Sequence, residues 1–453
     1  MQNRLSVFAL LAAAAAGCSA LVDTSGLSGG DVSPGLTGAD ASAGPDAGGG
    51  DGSPSSDGGP FDDGGGGNDA SDADGEGGSS GYPDPVVIVS GAGIAAPSGN
   101  AQQQHLVFVK PNDTYWFFTL SGTKDFAAFS SKDFKSWSSA HTLAMPVAHG
   151  SDGRNVGIAA MPNAAVVHAA IACFDGSGAT HVHARATLPS DVIAFDAPRT
   201  VSSIGAPKTT VGGPATTILT AGGNIVVDAL DLVSDGGTFN GAVWRFGSES
   251  GTSFSSQAPI QDEFYFPKSW INAQTLVPLT SGGLLWVAEN AEAEPDPPNL
   301  AFGVYASGSW TGGAVFAVDA TQNYNDWSVF RVSDTEMHAV RYAASVGFEH
   351  ARFTGTTWQP GGTIPAMTPL VGGGLVLVGE GSTFSLYAID VGAARTVKTV
   401  AWDGTKWASS WHDVTTKAAV RTFLGGMSTP GHKAVYWTQE NSGALDVVGV
   451  SIP

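Results

Sequence analysis

From residue 82 onward the chain alternates short apolar runs with clusters of Gly, Asn and Asp, and no stretch holds a helical period. Runs such as 105–109, 115–120 and 126–130 are rich in aromatic and β-branched residues. They predict strands, and the polar clusters between them predict tight turns. Phe353-Thr-Gly-Thr-Thr-Trp358 returns about fifty residues later as Trp402-Asp-Gly-Thr-Lys-Trp407, with echoes around Trp137, Phe254 and Trp310. An aromatic leading into a Gly turn, then Thr and Trp, reads as a hairpin whose Trp folds back under the next strand. An all-β chain with units of roughly 40 to 50 residues predicts a β-propeller.

The runs group into units of four strands. The first spans 105–147, the second 156–204, and the third begins near 215. The fourth contains 275–279, 284–289 and 302–306, and the fifth opens with 327–332, 337–343 and 349–353. The sixth has its third strand ending near Trp402. The last unit holds three runs, 420–425, 434–439 and 444–452, before the chain stops. An isolated run at 85–90 is the natural donor of the missing strand. Pairing the N- and C-terminal strands would close the ring and remove its free sheet edges. The units count to seven blades, with six as the alternative because the second and third are long and their turn signals weak.

Composition adds an address. Lys+Arg is 20 against Asp+Glu 41, a net charge of −21, which argues against nucleic acid as a partner. Twelve of the acidic residues fall between Ser19 and Tyr82 with no basic residue among them; apart from Arg4, the remainder carries 29 acidic and 19 basic residues. Residues 18–82 are almost wholly Gly, Ala, Ser, Asp and Pro and cannot bury enough apolar surface to fold. They read as a disordered tether, holding the propeller domain of 83–453 roughly 40 Å from its attachment point. Residues 1–17 hold Arg4 and an apolar run too short to span a bilayer, as in a signal peptide. Ala15-Ala16-Gly17-Cys18 resembles the bacterial lipobox, which implies cleavage before Cys18, lipidation of its sulfur, and export. Ser19 after that cysteine favours the outer membrane or cell surface, with the lipid anchor as the sole membrane contact. Cys173, the other cysteine, follows small apolar residues and reads as an inert core residue.

In a propeller, ligands meet the face formed by connections between blades and by the loops joining second to third strands. Here those include 149–155, 261–272 and 319–327 between blades, and 121–125, 289–299 and 438–443 within them. Polar and aromatic residues concentrate on them in units three to five. Arg154, Asp262, Tyr265, Trp270 and Trp327 are candidate ligand contacts. Aromatic rings beside carboxylates suit carbohydrate, stacking on C–H faces while carboxylates accept hydroxyl hydrogens. Glu263 with Glu289, or Asp326, could supply the two carboxylates of a glycosidase. His181-x-His183 places two imidazoles on one strand face with no third ligand at a recognisable spacing. No metal is expected, and no cofactor.

Ser131-Lys-Asp-Phe-Lys-Ser-Trp137 resembles the Asp-box turn of sialidase-like propellers, one residue short between Asp133 and Trp137. It is also similar to a hairpin of five-bladed glycoside hydrolases. In both families the Asp binds turn amides and the Trp packs between strands, so the resemblance implies a structural Asp133. Sialidases use an arginine triad, a Tyr nucleophile with a Glu partner and an Asp acid/base. By that resemblance Tyr324 with Glu289 or Glu263 would form the nucleophile pair. The first arginine of the triad has no match, because no arginine lies between Arg4 and Arg154. The expectation is a surface-anchored module that binds an extracellular ligand, foremost a glycan. The alternatives are a divergent sialidase-like glycoside hydrolase and a scaffold for envelope proteins.

Overall fold

The computed structural model describes residues 81–453 except 91–103, 122–124, 139–140, 145–155, 161–164, 175–177, 189–193, 197–198, 206–215, 220–223, 236–237, 249–254, 257–270, 291–298, 307–308, 317–325, 345, 371–373, 393–394, 416–419 and 443. β1 (Val86–Val89) precedes the first complete sheet, which is β2 (Leu106–Val109), β3 (Thr114–Ser121), β4 (Asp125–Ser131) and β5 (His141–Ala144). The second is β6 (Val156–Ala160), β7 (Val166–Phe174) and β8 (Gly178–Thr187), with its fourth position split between β9 (Ala194–Phe195) and β10 (Arg199–Gly205). The third is β11 (Thr216–Leu219), β12 (Asn224–Asp235), β13 (Thr238–Ser248) and β14 (Ser255–Ser256). The fourth is β15 (Ile271–Pro278), β16 (Leu284–Asn290), β17 (Asn299–Ala306) and β18 (Ser309–Ala314). The fifth is β19 (Trp327–Ser333), β20 (Glu336–Ala343), β21 (Gly347–Phe353) and β22 (Trp358–Pro360). The sixth is β23 (Leu375–Glu380), β24 (Thr383–Ile389), β25 (Val397–Trp402) and β26 (His412–Asp413). Finally β27 (Val420–Thr429), β28 (His432–Asn441) and β29 (Ala444–Ile452) take β1 as their fourth strand.

Among the described residues there are thus seven antiparallel sheets. Their first strands touch in sequence: β2 with β6, β6 with β11, β11 with β15, β19 with β23, β23 with β27, and β27 with β2. β15 and β19 line one cavity with β23. The sheets therefore surround a common axis, each with its first strand innermost, which is the β-propeller arrangement. Closure is as the sequence implied. Val86 pairs with Gly449, Val87 with Val448 and Val89 with Val447. Gly449 lets the strands pack closely there, since a Cβ would lie 2.8 Å from Ile88 Cδ1 and 3.1 Å from the Val435 carbonyl oxygen, and one of them would have to shift.

Each core belongs to two sheets. Leu106, Phe117 and Phe129 of the first sheet pack with Tyr436 and Val447 of the closing one. Leu285 and Phe302 of the fourth pack with Trp327, Met337 and Phe353 of the fifth. Phe330 and Val340 of the fifth pack with Phe384, Trp402 and Trp407 of the sixth. Burial at these faces is the main stabilising term.

The recurring hairpins sit between third and fourth strands. Gly355 and Gly404 hold φ of 93° and 100°, the left-handed conformation the turn needs. Trp358 returns to Phe302 of the preceding sheet and Trp407 to His350 of the preceding sheet. Asp133 Oδ1 accepts the amide hydrogens of Lys135 and Ser136, both at 2.8 Å, and Trp137 Nε1 donates to the Phe134 carbonyl. Those amide bonds hold the exposed Asp133 carboxyl at about 2. Asp133 is a turn-former, with Asp403 doing the same for Thr405 and Lys406.

Candidate functional site

The start of each first strand, the end of each second and the start of each third lie on one face of the ring. In the fifth sheet this face carries a row of side chains. Trp327 at the head of β19 is the register partner of Arg341 on β20, which in turn faces Glu349 on β21. Partners opposite one another project on the same side of a sheet. Arg341 Nε donates to Glu349 Oε2 at 2.6 Å, and the guanidinium carbon sits 4.4 Å from the centre of the Phe316 ring. Arg341 is 1% exposed in its side chain and Glu349 21%, so the ion pair has a dry end and a wet end. Such a pair is rigid, and its carboxylate keeps lone pairs for hydroxyl donors from solvent.

Of the candidate ligand and catalytic residues, Asp326 and Trp327 are described with their side chains. Asp326 is 2% exposed, and its carbonyl accepts the Tyr342 amide at 2.8 Å. Trp327 is a core residue between the fourth and fifth sheets, 1% exposed, so its ring faces protein. Glu289 is placed by its backbone near the end of β16, opposite Leu300. Arg154, Asp262, Glu263, Tyr265, Trp270, Tyr324 and Cys18 lie outside the described residues. Asp326 and Trp327 stand at the start of β19 and Glu289 near the end of β16. Arg341, which lies within a strand, is buried.

Charged pairs continue around this face. Lys398 Nζ lies 3.0 Å from Asp413 Oδ1 and 3.5 Å from Asp390 Oδ2. The hydrogen bond with Asp413 raises the Lys398 pKa. In the closing sheet Asn441 Nδ2 donates to Asp446 Oδ2 at 2.9 Å.

Two buried histidine pairs were not foreseen. The imidazole that meets His183 is His168 of the neighbouring strand, at 3.0 Å between Nδ1 of His168 and Nε2 of His183. His338 Nδ1 and His350 Nε2 lie 2.9 Å apart in the fifth sheet, with rings 5.1 Å apart in both pairs. The sequence signal, visible in retrospect, is His-Ala-Arg at 183–185 and again at 350–352. Gly362 N–H and Trp407 Nε1–H both donate to His350 Nδ1, which fixes its own proton on Nε2 for donation to His338. Burial, then the His338 charge, lowers His350 to about 3; burial lowers His338 to about 4. These pairs are neutral hydrogen-bonded packing elements. Among the described residues no group of three His, Cys, Asp or Glu could hold a metal ion.

No protein-family model matches the sequence, and no curated protein matches it. Solved structures do. A polysaccharide lyase of family PL25, an ulvan lyase bound to -[GlcA(1-4)Rha3S]-, superposes with a TM-score of 0.52 at 12% identity, covering 81% of this chain and 96% of that one. A second ulvan lyase structure gives 0.51 at 12% over 81% and 96%. An α-L-arabinofuranosidase from Fusarium graminearum gives 0.47 at 11% over 82% and 98%. At such identities the likeness is one of fold, and that to the ulvan lyase agrees with the ring of sheets.

Proposed function

We propose that the protein is an exported, lipid-anchored β-propeller that binds glycan on the face carrying Asp326, Arg341 and Glu349. The observation that carries this reading is the row Trp327–Arg341–Glu349. It fixes a partly exposed carboxylate against a buried guanidinium at the face where first strands begin and second strands end. Fixed acceptors of this kind bind hydroxyls without first giving up side-chain entropy. The fold is shared with the ulvan lyase, whose structure holds an oligosaccharide. The composition of residues 18–82 and the Ala15-Ala16-Gly17-Cys18 stretch support tethering through Cys18. Residues 1–17 then serve as the signal peptide and 83–453 as the binding domain.

A glycan array of the wild-type protein tests the reading. Binding to a defined glycan family is expected, and Glu349→Gln, Trp270→Ala and Tyr324→Ala are each expected to weaken it. No binding to any glycan would remove the proposal. Release of shortened sugars from a bound glycan would replace it with a hydrolase or lyase. Anchoring is tested separately: Cys18→Ala should move the protein from the detergent phase to the aqueous phase on detergent partitioning.

A further inference from the structure

The seam between the fifth and sixth sheets opens on the same face as the Arg341–Glu349 row, on the other side of β21. Side chains alternate along a strand. Arg341 and Glu349 point toward Phe316 and the fourth sheet, whereas their neighbours Tyr342 and Phe348, themselves register partners, pack on the core shared with the sixth. From the sixth sheet, Lys398 stands two residues before Val400 and Asp390 two residues after Ala388. Both Val400 and Ala388 belong to that core, so both charges project into the same seam. Asp413 is the register partner of Lys398, and Trp411, just before β26, packs on the same core.

The mouth of the seam therefore sets three rings beside one ammonium and two carboxylates. The Phe348 ring centre lies 5.0 Å from that of Tyr342 and 5.3 Å from that of Trp411. Trp411 is fixed by its Nε1–H, which donates to the Pro365 carbonyl at 2.9 Å. All three rings are partly exposed, while Phe384, Trp402 and Trp407 of the same core are buried. The charged groups are open to solvent too, at 24% for the Lys398 side chain and 45% for that of Asp413. Asp413 Oδ1 takes Lys398 and Thr396, which leaves the lone pairs of Oδ2 to offer. Lys398 spends two of its three N–H groups on Asp413 and Asp390 and keeps the third. Val346 and Val391, both exposed, stand on the turns after β20 and β24 that border the mouth.

A fixed donor beside a fixed acceptor matches two adjacent sugar hydroxyls, and flat rings match the apolar C–H face of the same sugar. Two carboxylates around one ammonium leave one net negative charge, which disfavours an acidic sugar. We propose that this mouth is a sugar subsite. One ring of a neutral glycan packs against Phe348 and Trp411, with one hydroxyl accepting from Lys398 Nζ and its neighbour donating to Asp413 Oδ2. The assignment rests on the reading of this face as glycan-binding, and adds to it a neutral ligand class and a second point of contact.

Calorimetric titration of the full chain with neutral trisaccharides of glucose, galactose, mannose and xylose tests it. Trigalacturonic acid and the glucosamine trisaccharide serve as the charged counterparts. At least one neutral trisaccharide should bind, and trigalacturonic acid should not. Phe348→Leu keeps apolar bulk without the flat ring, and Lys398→Met keeps the stem without the donor; each should weaken binding about tenfold. Should Phe348→Leu lower the melting temperature, Lys398→Met, at a partly exposed position, decides. Binding that Glu349→Gln weakens but neither seam variant changes overturns the subsite and leaves the glycan face standing. No binding by any neutral trisaccharide overturns the subsite, while the glycan array decides the face. Binding of trigalacturonic acid, or of the glucosamine trisaccharide alone, overturns the neutral class and with it the proposal.

Discussion

His338 and His350 are neutral in the fold, and so are His168, His183 and His105, each held below 6.5 chiefly by burial, with values of about 3 to 4. The unfolded chain, with ordinary imidazoles, binds more protons than the folded one as the pH falls below 6.5. The stabilisation is therefore fully present above about pH 6.5 and is lost progressively down to the folded values. Around the fifth-sheet pair the other charged groups are Glu336, 3.5 Å from His338 Nε2, and Arg352, bound to Glu336 at 2.6 Å. From the sixth sheet the packing groups are Phe384, Trp402 and Trp407. Denaturant unfolding between pH 8 and 5 should show stability falling with acid. In the His338→Gln/His350→Gln double variant that slope should shrink by up to about 2.7 kcal/mol per pH unit, two protons' worth. An unchanged slope would mean the pair takes up protons in the fold as readily as in the unfolded chain.

The elements differ in how far their own sequence announces them. In the Trp402–Trp407 and Ser131–Trp137 turns the carboxylates of Asp403 and Asp133 find their partners within three residues, so Asp and Trp at fixed offsets are enough to predict the turns. Asp334 is also a turn residue, but three of its four bonds go to Thr280 and Ser281, 53 to 54 positions back. No local pattern carries that. Although burial opposes it, those bonds hold the Asp334 carboxyl well below the usual range. Asp334→Ala should cost about 1–3 kcal/mol by losing several bonds to a charged acceptor. Asp334→Asn should recover part of this, as thermal or denaturant unfolding would register. β20 misleads for a related reason. Strict alternation would send half its side chains to solvent, yet Met337, His338, Ala339, Val340 and Arg341 are all buried because neighbouring sheets cover both faces. That is why Arg341 and the histidine pairs were not legible as interior groups. Trp407→Phe probes the contact between sheets: it keeps an aromatic ring but removes the donor to His350 Nδ1 and part of the buried indole. The expected loss is about 1–3 kcal/mol, read by denaturant unfolding.

At the scale of the molecule, closure depends on a few residues far from the end of the chain. The solitary apolar run at 85–90 and the three-strand final unit made it legible, because a propeller sheet short of a strand leaves an edge unpaired. β1 covers that edge of β29 and inserts Ile88 and Val89 into the core shared with Leu106, Tyr436 and Val447. Burying two such side chains contributes about 3–6 kcal/mol. Without β1, the nine residues of β29 would present their backbone groups to any passing strand. A chain beginning at residue 80 should unfold cooperatively and run as a single species in size exclusion with light scattering. One beginning at residue 91 should unfold at lower denaturant and form concentration-dependent larger species through β29. A synthetic peptide spanning 83–92 should then restore both properties, since main-chain pairing and the two side chains are all that was removed. If the shorter chain matches the longer one in stability and size, the ring is held by its cores alone and the terminal pairing is incidental.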